Sequence, residues 1–200
     1  MNKKTGYVLI LIFIAVIAAG IIVSAVISNE NSSEILAVNH DVIRSAGFSV
    51  NSGSIGQNTS AAGTVFVCGP GETAENIRIA ARVEVDPGDW GGVAFYVPAG
   101  WKVSGVLSSY PEGDDRSRPS DYAATWTTTD EKSEWSSWVE IGRIRGGLPA
   151  AGGNGTVVID LVPDKASARN ISEPAIMVGA GSEEKDGIKI METGLIKVPV

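Results

Sequence analysis

Between Asn76 and Asp86 the chain alternates: Ile77, Ile79, Ala81, Val83 and Val85 fall on one side of an extended backbone, and Asn76, Arg78, Arg82, Glu84 and Asp86 on the other. Side chains segregate this way only in a strand, where successive Cβ atoms point to opposite faces; a helical period near 3.6 would scatter the same residues around the axis. The pattern predicts a half-buried antiparallel strand and sets the rule by which the rest of the chain is read. The same alternation recurs in Trp101-Val103-Gly105-Leu107, Tyr122-Ala124-Trp126, Trp135-Ser137-Val139-Ile141 and Val157-Ile159-Leu161. Shorter apolar runs occur at 48–50, 64–68, 93–97, 175–178, 188–191 and 195–198.

Turn-forming residues separate these runs. Asp86-Pro87-Gly88-Asp89, Pro98-Ala99-Gly100, Pro111-Glu112-Gly113 and Gly152-Gly153-Asn154-Gly155 each supply a fixed or a positive φ where the chain must reverse. Many short strands with closely spaced turns predict an all-β antiparallel sandwich, Ig-like or jelly-roll-like in kind, over residues 47–200. Residues 28–46 are expected to form a tether and a membrane-near segment. Within it, Glu34 to Ile43 suits either a helix capped by Asn31 and Glu34 or a first strand.

The segment before the tether has a different character. Tyr7 to Ile27 is an uncharged run of about 21 residues, which as a helix spans about 31 Å, close to the thickness of a bilayer's hydrocarbon core. Lys3 and Lys4 precede it, and Glu30 and Glu34 are the first charges after it. This bias predicts a cytoplasmic start at 1–6, a transmembrane signal-anchor helix at 7–27 and an extracellular remainder. If the segment is instead a signal peptide cut near Val23-Ser24-Ala25, the protein is secreted. Lys3, Lys4 and Gly6 ahead of a long apolar run also resemble the start of type IV prepilins, which implies a pilin-like subunit of a cell-surface assembly. The departure is Leu11, where such pilins usually carry a glutamate. Asn-x-Ser/Thr triplets begin at Asn31, Asn58, Asn154 and Asn170, all beyond the predicted span.

Charge and composition narrow the chemistry. Removing Lys3 and Lys4 from the formal net charge of −7 leaves −9 for the rest of the chain, a surface that repels phosphate backbones, so nucleic acid is not expected as a partner. Cys68 is the single cysteine, so the fold is held by packing without an intrachain disulfide; in its run Cys68 reads as a small buried hydrophobe. His40 is the single histidine, and no nucleophile motif accompanies it, which argues against serine or cysteine hydrolase chemistry and against a Cys/His zinc site. A carboxylate-dependent hydrolase needs only two acids placed across a bond, a placement that sequence does not display.

No cofactor is expected from any motif; calcium is the one ion that two acidic loops would suit, and neither loop matches a defined calcium-binding pattern. Asp86 and Asp89 form the first, and Glu112, Asp114, Asp115 and Asp121 the second, with Arg116 and Arg118 inside the latter to neutralise it. Among the tryptophans, Trp101, Trp126 and Trp135 fall in register with Val, Ala or Ile and are predicted to be core. Trp138 alternates out of phase with Val139 and Ile141, and Trp90 lies in the small-residue loop Asp89-Trp90-Gly91-Gly92. An exposed ring offers apolar area beside a polar tip, so Trp90, Trp138, Asp89 and Glu140 are the predicted ligand-binding residues. The resulting expectation is a non-catalytic binding or adhesion module for a surface glycan or protein, held at the membrane by its N-terminal helix.

Overall fold

The computed structural model describes residues 41–113, 121–143, 152–165 and 174–200. The predicted span at 7–27, most of the tether, His40, Asp114 and Asp115 lie outside the described residues. No helix among the described residues is long and apolar enough to cross a membrane.

The described chain is all-β, with ten strands in two antiparallel sheets. They are β1 (Val42–Asn51), β2 (Ser60–Cys68), β3 (Asn76–Val85), β4 (Val93–Pro98), β5 (Trp101–Ser108), β6 (Ala123–Thr127), β7 (Trp135–Ile141), β8 (Gly153–Pro163), β9 (Ala175–Lys185) and β10 (Ile188–Pro199). The first sheet runs in the order β1-β2-β3-β8-β5 and the second β10-β9-β4-β7-β6. Both supply apolar side chains to one core, an arrangement consistent with a β-sandwich. Phe48 of the first sheet meets Phe95 of the second edge to face, with centroids 6.4 Å apart.

β3 behaves as its alternation requires. Its five inward residues, Ile77 to Val85, are all buried, while Arg78, Arg82 and Glu84 are exposed. Opposite Arg78 on β8 stands Asp160, and the guanidinium donates to both carboxylate oxygens at 2.6 and 2.9 Å. Ile43 belongs to β1, so the part of the ambiguous segment that is described is strand. The two apolar runs at 188–191 and 195–198 join as one strand, β10, interrupted by an irregularity between Met191 and Gly194.

Three of the sequence-based facings change, two of them at bulges. In β5 the register shifts between Val103 and Gly105, so the inward phase passes from Trp101 and Val103 to Val106, and Leu107, predicted to be inside, is 71 % exposed. In β7 the register shifts where Val97 pairs with Ser137 but Pro98 with Trp135. Ser136 is the extra residue; its hydroxyl donates to the Trp101 carbonyl at 2.6 Å, and Trp135 turns to the outer face beside Tyr96. An inserted residue inverts the facing of everything on one side of it. The third change concerns β6, where Ala123 and Thr125 stand opposite the buried Ile141 and Val139, which sends Trp126 outward. Tyr122 is buried, as expected, but precedes the strand. Cys68, predicted to be buried, is half-buried on the face opposite Val67.

These facings yield a paired test by urea unfolding of the purified chain, followed by tryptophan fluorescence. Ile159→Ala opens a cavity at the shared core and is expected to cost about 2 to 5 kcal/mol. Leu107→Ser should change stability by less than about 0.5 kcal/mol, because the bulge places that side chain in solvent.

Candidate functional site

The outer face of the second sheet carries a continuous row of directly opposed residues. Trp126 of β6 faces Trp138 of β7, Trp138 faces Tyr96 of β4, Tyr96 faces Met177 of β9 and Met177 faces Lys197 of β10. Tyr96 stacks on Trp138 with centroids 6.2 Å apart and an interplanar angle of 27°, and it meets Trp135 at 5.8 Å. Lys197 Nζ lies 5.6 Å from the centre of the Trp135 ring. Directly opposed aromatic pairs of this kind stabilise a sheet and hold one another's rings in place.

The adjacent row is small: Ala124, Glu140, Ala94, Gly179 and Leu195 stand opposite one another in turn. Alanine and glycine on either side of Glu140 leave a trough across the sheet, and three charged side chains fill it. Glu140, with its side chain 1 % exposed, accepts hydrogen bonds from Trp138 Nε1 at 3.0 Å, Trp126 Nε1 at 2.9 Å and Arg143 Nη1 at 2.5 Å. Arg143 also donates through Nη2 to Glu192 and through Nε to the Gly91 carbonyl at 2.8 Å. Glu192 reaches the trough from the β10 irregularity, where it adopts a positive φ of 54° and accepts the Tyr96 hydroxyl at 2.9 Å. Its path crosses Gly179, where an added Cβ would overlap the Glu192 side chain. Buried charges persist only when paired and hydrogen-bonded, and here two carboxylates share one guanidinium.

The predicted ligand residues therefore separate into different roles. Asp89 is buried and bound from within: Thr59 Oγ1 donates at 2.6 Å, Gly91 N at 2.9 Å and Gly92 N at 3.2 Å, with the Ser182 hydroxyl as a fourth donor. It fixes the loop from β3 to β4. Glu140 is equally buried and orients two indoles. Trp138 is half-buried beneath Tyr96, and half-buried Trp90 has Lys189 Nζ 5.4 Å from its ring centre. Among the described aromatic residues the most exposed is Trp126, at 38 %, which sequence alternation assigns to the core. Tyr96, Arg143 and Glu192 were not predicted. Their one sequence signal is the break in apolar alternation between Met191 and Leu195, which marks the irregularity that turns Glu192 onto the sheet.

Of the predicted calcium residues, Asp86 and Glu112 line a shared cleft of about 490 Å³, so the structure brings the two loops together. Asp86 accepts the backbone N–H groups of Gly88 at 2.8 Å and Asn58 at 3.1 Å, while Glu112 accepts the Ser109 hydroxyl at 3.2 Å. Asp89 turns into the core and Asp121 is exposed. Among the described residues, no three carboxylates or other ligating side chains gather at a spacing that would hold a metal ion.

A further cleft, of about 700 Å³, opens between β5 of the first sheet and β6 and β7 of the second. Trp101, Thr125, Thr127, Ser137 and Trp135 line it, together with the loop after β6. Trp135 thus borders both this cleft and the outer aromatic row.

Removing the carboxylate from the trough takes one acceptor from each of Arg143, Trp126 and Trp138. Glu140→Ala is expected to destabilise the chain by about 3 to 5 kcal/mol in urea unfolding. The trough also sets an alkaline limit. Burial, reinforced by Glu192, pushes the Tyr96 hydroxyl up to about 12 from its ordinary 10.0, and burial with Tyr122 nearby pushes Tyr110 to about 12. A folded-state value above the unfolded one gives stability that is complete below the unfolded value and lost as pH rises through the folded one. Stability should therefore fall between pH 10.0 and about 12, and Tyr96→Phe should flatten part of that fall in pH-dependent unfolding.

Comparison with protein-family models, with curated proteins and with solved structures finds no match for this chain.

Proposed function

We propose that this chain is a non-catalytic binding or adhesion module for a surface glycan, built as a β-sandwich and held outside the membrane by a single N-terminal helix at 7–27. The observation that carries the reading is Trp126: an indole 38 % exposed on a sheet face yet fixed by its hydrogen bond to the buried Glu140. A ring held rigidly at the surface has already lost the rotamer freedom that binding would otherwise remove. Trp138, Tyr96 and Trp135 continue the apolar surface inward from it. Sugar rings present C–H faces to such a surface and hydroxyls to the polar groups around it.

A second reading, a structural subunit of a cell-surface assembly, is favoured by β10. Strand β10 lies at a sheet edge with Ile188 65 %, Met191 42 % and Leu195 58 % exposed. Apolar side chains along an edge strand favour contact with another chain.

The two readings separate in one experiment, a glycan array probed with the labelled full-length chain and with Trp126→Ala. The module reading expects retention on a polysaccharide and a loss of at least about 1 kcal/mol, roughly fivefold, in the variant. Equal binding by both proteins removes Trp126 from the contact surface. No glycan binding, together with a self-associated species in sedimentation that Leu195→Lys dissociates, selects the assembly reading.

A further inference from the structure

Inward positions of this fold are filled almost everywhere by aliphatic side chains. Valine occupies them at 65 and 67 of β2, 83 and 85 of β3, 93 and 97 of β4, 139 of β7, 157 of β8 and 178 of β9, all buried. One corner departs from the rule. Thr125 and Thr127 of β6 stand opposite Val139 and Ser137, so their side chains share the inward face, yet both are exposed. Threonine and valine have the same shape and both suit strands, so packing and β-propensity alone do not call for the hydroxyl here. Instead of closing, the two sheets part at this corner around the cleft of about 700 Å³. Trp101, packed against the core, lines its β5 side, and the Ser136 hydroxyl ties the Trp101 backbone to β7.

We propose that this cleft is a saccharide-binding subsite, in which a sugar ring lies against Trp101 while Thr125, Thr127 and their neighbours hydrogen-bond its hydroxyls. The volume falls within the range of small-molecule sites, about 300 to 1,000 Å³. Hydroxyl side chains both donate and accept, which matches a ligand whose own groups do both. Asp130, Glu131 and Asp164 line the cleft against Lys102 as its one basic lining residue, so the site selects a neutral sugar over an anionic one. Trp135 borders the cleft and also meets Tyr96, so a chain seated in the cleft leads onto the outer aromatic row. The inference rests on the glycan-module reading and deepens it: the ligand is an extended neutral chain that engages both surfaces.

The test is titration of the full-length chain with cellohexaose, chitohexaose and maltohexaose, read by tryptophan fluorescence and by saturation-transfer NMR. At least one hexaose is expected to bind. Thr125→Val/Thr127→Val, which removes two hydroxyls without changing shape, should weaken that binding about tenfold or more. Thr125→Phe, which fills the cleft, should abolish the part of the signal that depends on chain length beyond a disaccharide. Both substitutions lie at exposed positions, and unchanged urea unfolding checks that each variant folds. A hexaose that binds wild type and both cleft variants equally, while Trp126→Ala weakens it, overturns the subsite and leaves the module reading standing. Failure of all three sugars to bind wild type overturns both.

Discussion

One apolar layer shared by two sheets is the constraint on which the rest of this structure depends. Ile77, Ile79, Val83, Ile159 and Leu161 of the first sheet and Phe95, Val139, Ile141, Ile176 and Val178 of the second belong to the same buried cluster. No disulfide supports it, since Cys68 is the single cysteine in the chain. Each strand is therefore held in a facing that keeps its apolar set inside, and a slip of one residue would expose that whole set.

Within that constraint, the fold uses bulges to move selected side chains across the sheet. The extra residue Ser136 sends Trp135 outward, and the break in β10 releases Glu192 from the ladder so that it can lie across β9. The three charges in the trough then perform two tasks. They connect β7, β4, β10 and the loop after β3 through hydrogen bonds, and they fix the indoles of Trp126 and Trp138 by giving each N–H the same acceptor. The buried Glu140 and Asp89 thus act on the outer surface only through the groups they position. The aromatic face is rigid because its polar ends are anchored beneath it.

The two surfaces singled out above arise from the same geometry seen from different sides. At the β6 end of the second sheet, outward positions carry Trp126 and inward positions carry Thr125 and Thr127, so a five-residue strand presents an aromatic ring to one side and hydroxyls to the other. Edge strands lack a neighbour on one flank, and this is where a sandwich can part its sheets without losing its core. The buried centre and the β1 and β10 side remain closed; there, an added Cβ at Gly194 would overlap the Asn51 backbone.

Alternation was legible wherever a strand runs without interruption: β3, the inward set of β8 and the Ser137-Val139-Ile141 stretch of β7 have the facings that their residues dictate. So was the all-β class, because only period-two burial explains so many short apolar runs between turn formers. The facings of Trp135 and Leu107 were not legible, since a bulge is set by pairing with a neighbouring strand and leaves little local mark on composition; that of Trp126 follows from the unbroken pairing of β6 with β7, which local alternation does not reveal. Nor did sequence disclose that Asp89 and Glu140 are buried, because a carboxylate beside an apolar residue looks the same whether water or an arginine covers it. Sequence by itself determined which strands form and which side chains need a core, since those follow from local backbone geometry and hydrophobicity. Tertiary structure alone decided which ring is most exposed and which charges meet, because Arg143, Glu140 and Glu192 come together only once β7, β4, β9 and β10 pair in register.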